Sequence, residues 1–242
     1  MPKTCIIIPC YNEAQRLDIV SFENFLSKED DFALCFGDDG STDDTMIILQ
    51  RMQSNFPGRI FVVREELNVG KAEIVRKGIN EMYSKAVFDY FGYFDADLST
   101  PLEVALTFIG SLEQNRVQQI VFGSRIEKPG TVIQKNYFRH ISGRTFAFLV
   151  NQYFHLTLHD TQCGAKIFRK EIVPLAFDEP FISRWLFDIE IMLRLRKQYS
   201  NDDSFIEEKA LLLWVNKKGS KITLSDLLRL PVQLIKIKRN YK

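Results

Sequence analysis

The sequence predicts an α/β protein, a mainly parallel Rossmann-like sheet flanked by helices, and three observations lead there. Over its first hundred residues, short apolar runs alternate with helix-length amphipathic stretches, as in a sheet whose crossovers are helices. Each apolar run closes on a polar cluster. With 242 residues and 45% hydrophobic content, the chain can bury one sizeable core without disulfides.

The runs Thr4 to Pro9, Phe32 to Phe36, Ile60 to Val63 and Tyr90 to Phe94 read as the first four strands. Thr42 or Asp43 can cap a helix reaching about Phe56, and Lys71 to Ala86 forms another. Pro101 suits a first helical turn. Val117 to Phe122 is a fifth strand ending at Gly123-Ser124-Arg125, and apolar residues recur at helical spacing from Tyr137 to Phe154. Ala165 to Phe168 is a short strand, Arg184 to Tyr199 a helix, and Ala210 to Val215 a late strand. No repeat, low-complexity tract or long linker interrupts residues 1–221, so they are expected to form one domain, with a basic amphipathic tail at 222–242.

Composition narrows the function class. Cys5, Cys10, Cys35 and Cys163 form no CxxC pair, so neither a zinc module nor a disulfide framework is expected, and a reducing compartment fits. His155 and His159 stand four apart without the glutamate of a zinc helix motif, and with His140 read as structural. No segment approaches the roughly 18 uninterrupted apolar residues of a membrane span, and no signal pattern opens the chain, so the expectation is a soluble or peripheral protein. Eight of the 32 basic residues but only one of the 31 acids lie in 217–242, which gives an acidic body and a basic tail. Leu224 to Lys242 interleaves leucines and isoleucines with Arg229, Lys236, Lys238 and Arg239; such a stretch can lie on an anionic membrane surface or pack on protein. Pro231 would kink it or start a new helix.

The polar clusters converge on one rim, because ligands of open α/β sheets bind beyond the carboxyl ends of the strands. Tyr11-Asn12-Glu13 follows the first strand, Asp38-Asp39-Gly40-Ser41 the second, Asn68-Val69-Gly70-Lys71 lies after the third, and Asp95-Ala96-Asp97 ends the fourth. Two carboxylates at i and i+2 on a turn can both reach one hard cation that also binds a diphosphate, although an Asx turn before a helix has the same look. The acids of 38–44 can accept hydrogen bonds from a base or a ribose, and part of that cluster serves a helix start. Gly70-Lys71 offers an anion a helix N-terminus. Neither GxxxxGK[ST] nor GxGxxG occurs, which argues against ATPase and dinucleotide sites.

Inside Trp185-Leu186-Phe187-Asp188-Ile189-Glu190, two acids lie in an apolar setting, and two positions apart on a helix they point about 200° from each other. Asp188 is expected to face the site and Glu190 to pair with Arg194, four residues on. Basic candidates for an anionic acceptor are Arg125, Arg139, Arg144, Lys166 and Lys221.

Read in order, Ile6-Ile7-Ile8-Pro9-Cys10-Tyr11-Asn12-Glu13, Asp38-Asp39-Gly40-Ser41-Thr42-Asp43, Asn68-Val69-Gly70-Lys71 and Asp95-Ala96-Asp97 resemble family 2 glycosyltransferases with the GT-A fold. Gly123-Ser124-Arg125, the run 160–168 (DTQCGAKIF), the run 184–190 (RWLFDIE) and the run 214–221 (WVNKKGSK) are similar to dolichyl-phosphate β-glucosyltransferases and their prokaryotic polyprenyl-phosphate relatives, over nearly the whole chain. The resemblance implies inverting transfer of a hexose, glucose first, from a UDP-sugar with Mg²⁺ or Mn²⁺ to a lipid-linked phosphate, at the cytoplasmic face of a membrane. A soluble saccharide, peptide or polymer acceptor is the alternative, and nucleic acid is not expected. By resemblance, Pro9, Tyr11, Glu13 and Asp38 line the nucleoside pocket with Lys71 nearby; Asp95 faces ribose and diphosphate; Asp97 is the principal metal ligand, with Asp95 beside it. Arg125 faces the acceptor, Gln162 and Asp188 fall in acceptor-side motifs, and Lys221 lies in the closing Gly-Ser-Lys. Asn216 replaces an acid common after the late Trp, and Ala72-Glu73 stands where a second glycine is usual.

Overall fold

A computed structural model describes residues 3–126, 128–134, 150–199, 203–215, 217 and 224–241. Its strands are β1 Thr4–Cys10, β2 Phe32–Asp39, β3 Ile60–Glu65, β4 Tyr90–Phe94, β5 Ile120–Ser124, β6 Val132–Gln134, β7 Ala165–Arg169, β8 Ile206–Ala210 and β9 Leu213–Val215. Seven of them form one sheet in the order β3-β2-β1-β4-β7-β5-β8, and β6 and β9 form a separate two-stranded ribbon. All neighbours in the large sheet are parallel except β7, which runs antiparallel to both β4 and β5. Chain order reverses at β1, which lies between β2 and β4, so the crossovers part there and leave a crevice beyond the strand ends.

The period of two along β1 and β2 divides the core. Cys5, Ile7 and Cys35 face one side, where α3 Lys71–Ser84, α5 Val173–Phe177 and α6 Phe187–Gln198 supply Ile74, Val75, Phe177, Ile191 and Leu195. Ile6, Ile8, Leu34 and Phe36 face the other, covered by α1 Ile19–Lys28, α2 Thr45–Asn55 and α4 Val104–Gln114 through Phe22, Leu49 and Phe108. In α1 the apolar residues Phe22, Phe25 and Leu26 share the buried face, and the Asp18 carboxylate caps the start by accepting from the Ser21 amide at 3.1 Å. Each such fully buried side chain contributes roughly 1.5–3 kcal/mol, far more than the few tenths that separate helix propensities, so burial decides where these helices lie.

Several boundaries move for identifiable reasons. The late strand expected over 210–215 is two strands: β8 pairs with β5 as far as Ala210, and β9 turns away to pair with β6. The helix after the acidic turn opens at Val104 rather than Pro101, because the Val104 amide first closes a turn on the Pro101 carbonyl at 3.2 Å. Neither Thr42 nor Asp43 caps α2; the cap position is Asp44, without a side-chain bond. The Asp43 carboxylate instead accepts from the Thr45 amide at 3.0 Å and the Ala14 amide at 3.1 Å, tying two rim loops together. The segment starting at Arg184 becomes helical only at Phe187, since Ser183 Oγ takes the Leu186 amide at 2.9 Å.

The tail is one helix, α7 Leu224–Asn240, which runs through Pro231. Ile237 is fully buried, and Leu230, Leu234 and Tyr241 pack beside it on the face of the core that holds α6. Arg229, Lys236 and Arg239 point outward with Val232 and Ile235. Among the described residues no helix is long and apolar enough to cross a membrane.

Candidate active site

The crevice is walled by loops that hydrogen bond to each other. Asn12, in the left-handed region at φ 51°, accepts from the Thr42 amide through Oδ1 at 2.8 Å and donates its own amide to Ser41 Oγ at 2.9 Å. The Glu13 amide donates to Thr45 Oγ1 at 2.8 Å, and Glu13 is buried. Pro9 lies opposite Gly37 across the β1–β2 ladder, with Tyr11 just beyond the strand. Asp38 is fully buried: Oδ1 accepts from the Ser41 amide at 3.1 Å, while Oδ2 has no hydrogen-bond partner among the described residues and lies 3.6 Å from Arg64 Nε. A buried carboxylate oxygen left in this state is suited to a donor from a ligand.

Asp39 plays a separate part. Its carboxylate accepts from the Val69 amide at 2.7 Å and the Gly70 amide at 2.9 Å, and burial raises its pKa even though those amides pull the other way. Gly70 has φ 99°, and a Cβ there would lie 2.4 Å from Arg184 Nε. Arg184 donates to the Asn68 carbonyl at 2.7 Å and the Val69 carbonyl at 3.1 Å, so the loop that launches Lys71 is gripped from both sides.

Lys71 Nζ contacts Asp95 Oδ1 at 2.5 Å. Burial disfavours the ammonium, but the charges of Asp95 and then Asp188 outweigh it and raise its pKa. The Asp95 amide donates to the Gly164 carbonyl at 3.1 Å, and Gly164 has no space for a side chain: a Cβ would lie 1.9 Å from Asp95 Oδ2. Asp97 Oδ1 accepts from the Ser99 amide at 2.9 Å, the Asx turn that the sequence allowed. No group of three or more His, Cys, Asp or Glu among the described residues could hold a metal by itself. Asp95 and Asp97 put two hard carboxylate donors on one turn, a set that fits a cation such as Mg²⁺ or Mn²⁺ when phosphate and water complete its shell.

Beyond β5, Arg125 is clamped. Its Nε and Nη2 donate to Asp160 at 2.6 and 2.7 Å, its amide donates to the same carboxylate at 3.0 Å, and its guanidinium lies 5.3 Å over the Trp214 ring. Asp160 is braced in turn by Glu208, which accepts its amide at 2.6 Å and the His159 amide at 2.8 Å. Burial works against ionised Asp160, but Arg125 dominates and lowers its pKa. A depressed carboxylate contributes stability that is complete above the unfolded pKa and lost as pH falls through the folded one. Acid unfolding of Asp160→Asn, followed by circular dichroism, should accordingly begin at higher pH than in the parent; an unchanged acid limb would show that the clamp adds no stability.

Asp188, at the start of α6, accepts from the Tyr93 hydroxyl and lies 2.8 Å from Lys166 Nζ. Burial and the Asp188 charge push the Tyr93 pKa well above its ordinary value. Lys166 is fully buried, so it is not available to an acceptor phosphate as expected. Glu190 corrects a second expectation: it accepts from the amides of Ile182 at 3.0 Å and Ser183 at 2.8 Å, while Arg194 donates to the carbonyls of Ala176, Glu179 and Pro180. The two share the Tyr241 hydroxyl, 2.8 Å from Arg194 Nε and 3.3 Å from Glu190 Oε2, and while burial raises the Glu190 pKa the Arg194 charge pulls the other way. Gln162 lies on the rim turn with a buried Nε2 that has no partner among the described residues. Lys221, Arg139, Arg144, His140 and Asn216 lie outside the described residues. All four cysteines are buried and free.

The sequence reading missed Tyr93, Asp160 and Gly164. Asp160 and Gly164 stand in the 160–168 run and Tyr93 in the strand before the acidic turn, but only the antiparallel placement of β7 brings them together.

Residues 5–174 match the sequence family described as Glycosyl transferase family 2. The dolichyl-phosphate beta-glucosyltransferase of Dictyostelium discoideum is 28% identical over 98% of this chain and 74% of its own length. That of Mus musculus is 30% identical over 77% of this chain and 61% of its own length. Among solved structures, the glucosyl-3-phosphoglycerate synthase of Mycobacterium tuberculosis, in complex with Mn²⁺, uridine diphosphate and glucosyl-3-phosphoglycerate, superposes with a TM-score of 0.69 at 18% identity, covering 99% of this chain and 80% of that one. The likeness establishes a GT-A architecture.

Proposed function

The chain belongs to glycosyl transferase family 2, and from that premise we propose that it moves a hexose, glucose first, from a UDP-sugar to a polyprenyl or dolichyl phosphate with inversion. One observation carries the choice of acceptor. Each described carboxylate on that side of the rim is engaged: Asp160 by Arg125, Asp188 by Lys166 and Tyr93, Glu208 by the His159 and Asp160 amides. A hydroxyl acceptor needs a base to take its proton, and a carboxylate held by a cation is a poor one. A phosphate is already anionic at neutral pH and needs a positioned cation instead. The dolichyl-phosphate acceptor in the names of the relatives agrees with that chemistry.

In this reading Pro9, Tyr11, Glu13 and Asp38 hold the nucleoside, and Lys71 compensates diphosphate charge beside Asp95. Asp97, with Asp95, would hold the divalent cation, which supplies Lewis-acid neutralisation of the departing diphosphate. Arg125 orients the acceptor phosphate, whose oxygen attacks the anomeric carbon from the face opposite UDP; the new C–O bond forms as the bond to the diphosphate breaks. Gln162 and Lys221 belong to the acceptor side. The apolar part of the acceptor has a surface to follow: Val132 and Leu213 pair on the outer face of the β6–β9 ribbon, exposed, while Trp214 on its inner face carries Arg125.

Radiolabelled UDP-glucose and polyprenyl phosphate should yield label that extracts into organic solvent; label confined to the aqueous phase would favour a soluble acceptor. Arg125→Met should raise the KM for polyprenyl phosphate by about tenfold or more, given the strength of a charge-assisted phosphate contact, and leave the affinity for UDP unchanged. Equal loss of both would remove Arg125 from the acceptor site.

The outer face of α7, with Arg229, Val232, Ile235, Lys236 and Arg239, is assigned to anionic headgroups at the cytoplasmic membrane face. The triple variant Arg229→Glu, Lys236→Glu, Arg239→Glu should stop sedimenting with phosphatidylserine vesicles at low salt while remaining folded. Undiminished sedimentation would place membrane contact elsewhere.

A further inference from the structure

We infer that Lys166 is a positioning residue that fixes the rim turn 160–164 from beneath, and through it holds the donor clasp and the acceptor cation in register; the inference rests on the reading just given. Lys166 sits mid-sheet on β7, opposite Tyr93 of β4 and Phe122 of β5, and is 0% exposed. Its ammonium has three oxygen neighbours: the Cys163 carbonyl at 2.6 Å, the Thr161 carbonyl at 3.3 Å and Asp188 Oδ1 at 2.8 Å. Those are as many as an ammonium has donors. The Tyr93 and Phe122 rings, 5.5 and 5.2 Å from Nζ, close the remaining sides.

The turn held this way has a functional group against each end. At one end Asp160 grips the Arg125 side chain and amide; at the other the Gly164 carbonyl accepts the Asp95 amide, and the missing Gly164 side chain makes room for the Asp95 carboxylate. Burial works against the Arg125 charge, Asp160 outweighs it and the Asp95 charge helps to raise the Arg125 pKa; the turn is the backbone that ties Arg125 and Asp95 in place. Two carbonyls of a five-residue turn point inward at one charge. Such an arrangement fixes backbone orientation, which an apolar side chain of the same length cannot do.

A buried Lys–Asp pair is a poor source of stability, because desolvating both charges offsets much of their attraction, and apolar replacements of such pairs are often neutral. If stability were its only contribution, replacing both partners would leave the turn unaltered. If Lys166 serves only to neutralise Asp188, removing both charges would likewise be silent at the turn. A positioning role requires the turn to loosen even then.

The test uses the full chain carrying Lys166→Met together with Asp188→Asn, which leaves no uncompensated buried charge, and compares amide hydrogen exchange with the parent by NMR. Exchange at the Asp95 and Arg125 amides, both donors to the turn, is expected to quicken about tenfold or more, the signature of local opening, while Ile7 and Leu34 in β1 and β2 keep their protection. Parental protection at Asp95 and Arg125 would overturn the inference, as would a uniform rise that includes Ile7 and Leu34. In the single variant Lys166→Met, kcat should fall about a hundredfold, the cost of misplacing reacting groups by an ångström; a parental kcat would count against positioning. A parent that transfers no sugar to polyprenyl phosphate defeats the proposed reaction, yet the exchange result still decides the role of Lys166.

Discussion

Asp97→Asn should lower turnover with UDP-glucose and Mn²⁺ about a thousandfold, the rate equivalent of losing several kcal/mol of charge stabilisation at the departing diphosphate. The change is nearly isosteric, and the amide oxygen can still accept from the Ser99 amide, as Asp97 Oδ1 does at 2.9 Å. The turn should therefore persist, and melting temperature should stay close to that of the parent. Binding of UDP measured without metal should also be unaffected, since the nucleoside walls at Asp38 and Glu13 belong to other loops. Turnover near the parental rate would take Asp97 out of the metal site.

Gly164→Ala should be nearly as damaging, although it adds one methyl and removes no functional group. The new Cβ would lie 1.9 Å from Asp95 Oδ2 and 2.4 Å from its Cγ, and Asp95 is tethered at its amide by Gly164 and at its carboxylate by Lys71. Relief has to come from swinging the carboxylate off Lys71 or lifting the rim turn. Turnover should drop about a hundredfold, as expected for a misplacement of this size, with a stability loss of about 1–3 kcal/mol from overpacking. Gly110→Ala is the matched control. Gly110 lies inside α4 with nothing within 4 Å of a built Cβ, and alanine there should stabilise by about 0.5–1 kcal/mol by lowering backbone entropy in the unfolded chain. Unchanged turnover in Gly164→Ala would show that Asp95 has room to move without consequence.

The parts of the site that could be read from the sequence share a property: strand and ligand loop are adjacent in the chain. Asp38, Asp95 and Asp97 each follow an apolar run within a few residues, and Lys71 opens the helix after the third run, so strand periodicity places them on the rim directly. On the acceptor side only Arg125, which follows the fifth apolar run, could be read this way. Asp160 reaches Arg125 across 35 positions, and Lys166 faces Tyr93 across a ladder whose antiparallel sense no local pattern encodes. Lys166 reads from the sequence as a basic candidate for the acceptor, and its burial beside Asp188 becomes visible only once the strands are paired. Glu190 was assigned to Arg194 on helical spacing alone, but the loop before α6 offers two amides that satisfy the carboxylate better. The cap of α2 was misread because Asp43 joins loops instead of serving its own helix.

The antiparallel β7 between β4 and β5 has a consequence for how the protein is made. β4 ends at Phe94 and β5 begins at Ile120, yet neither can be zipped to the other directly, because the strand that joins them starts at Ala165. The pairings among β1 to β4 lie within the first hundred residues and can form while synthesis continues. The edges of β4 and β5 that β7 will cover must wait for a segment some seventy positions beyond β4, a costly loop closure that comes late. During that interval β4 and β5 each keep open the edge that β7 will cover. In the proposed reading sugar transfer waits longer still, because Asp188, Glu208 and Trp214 have yet to be made when Arg169 is.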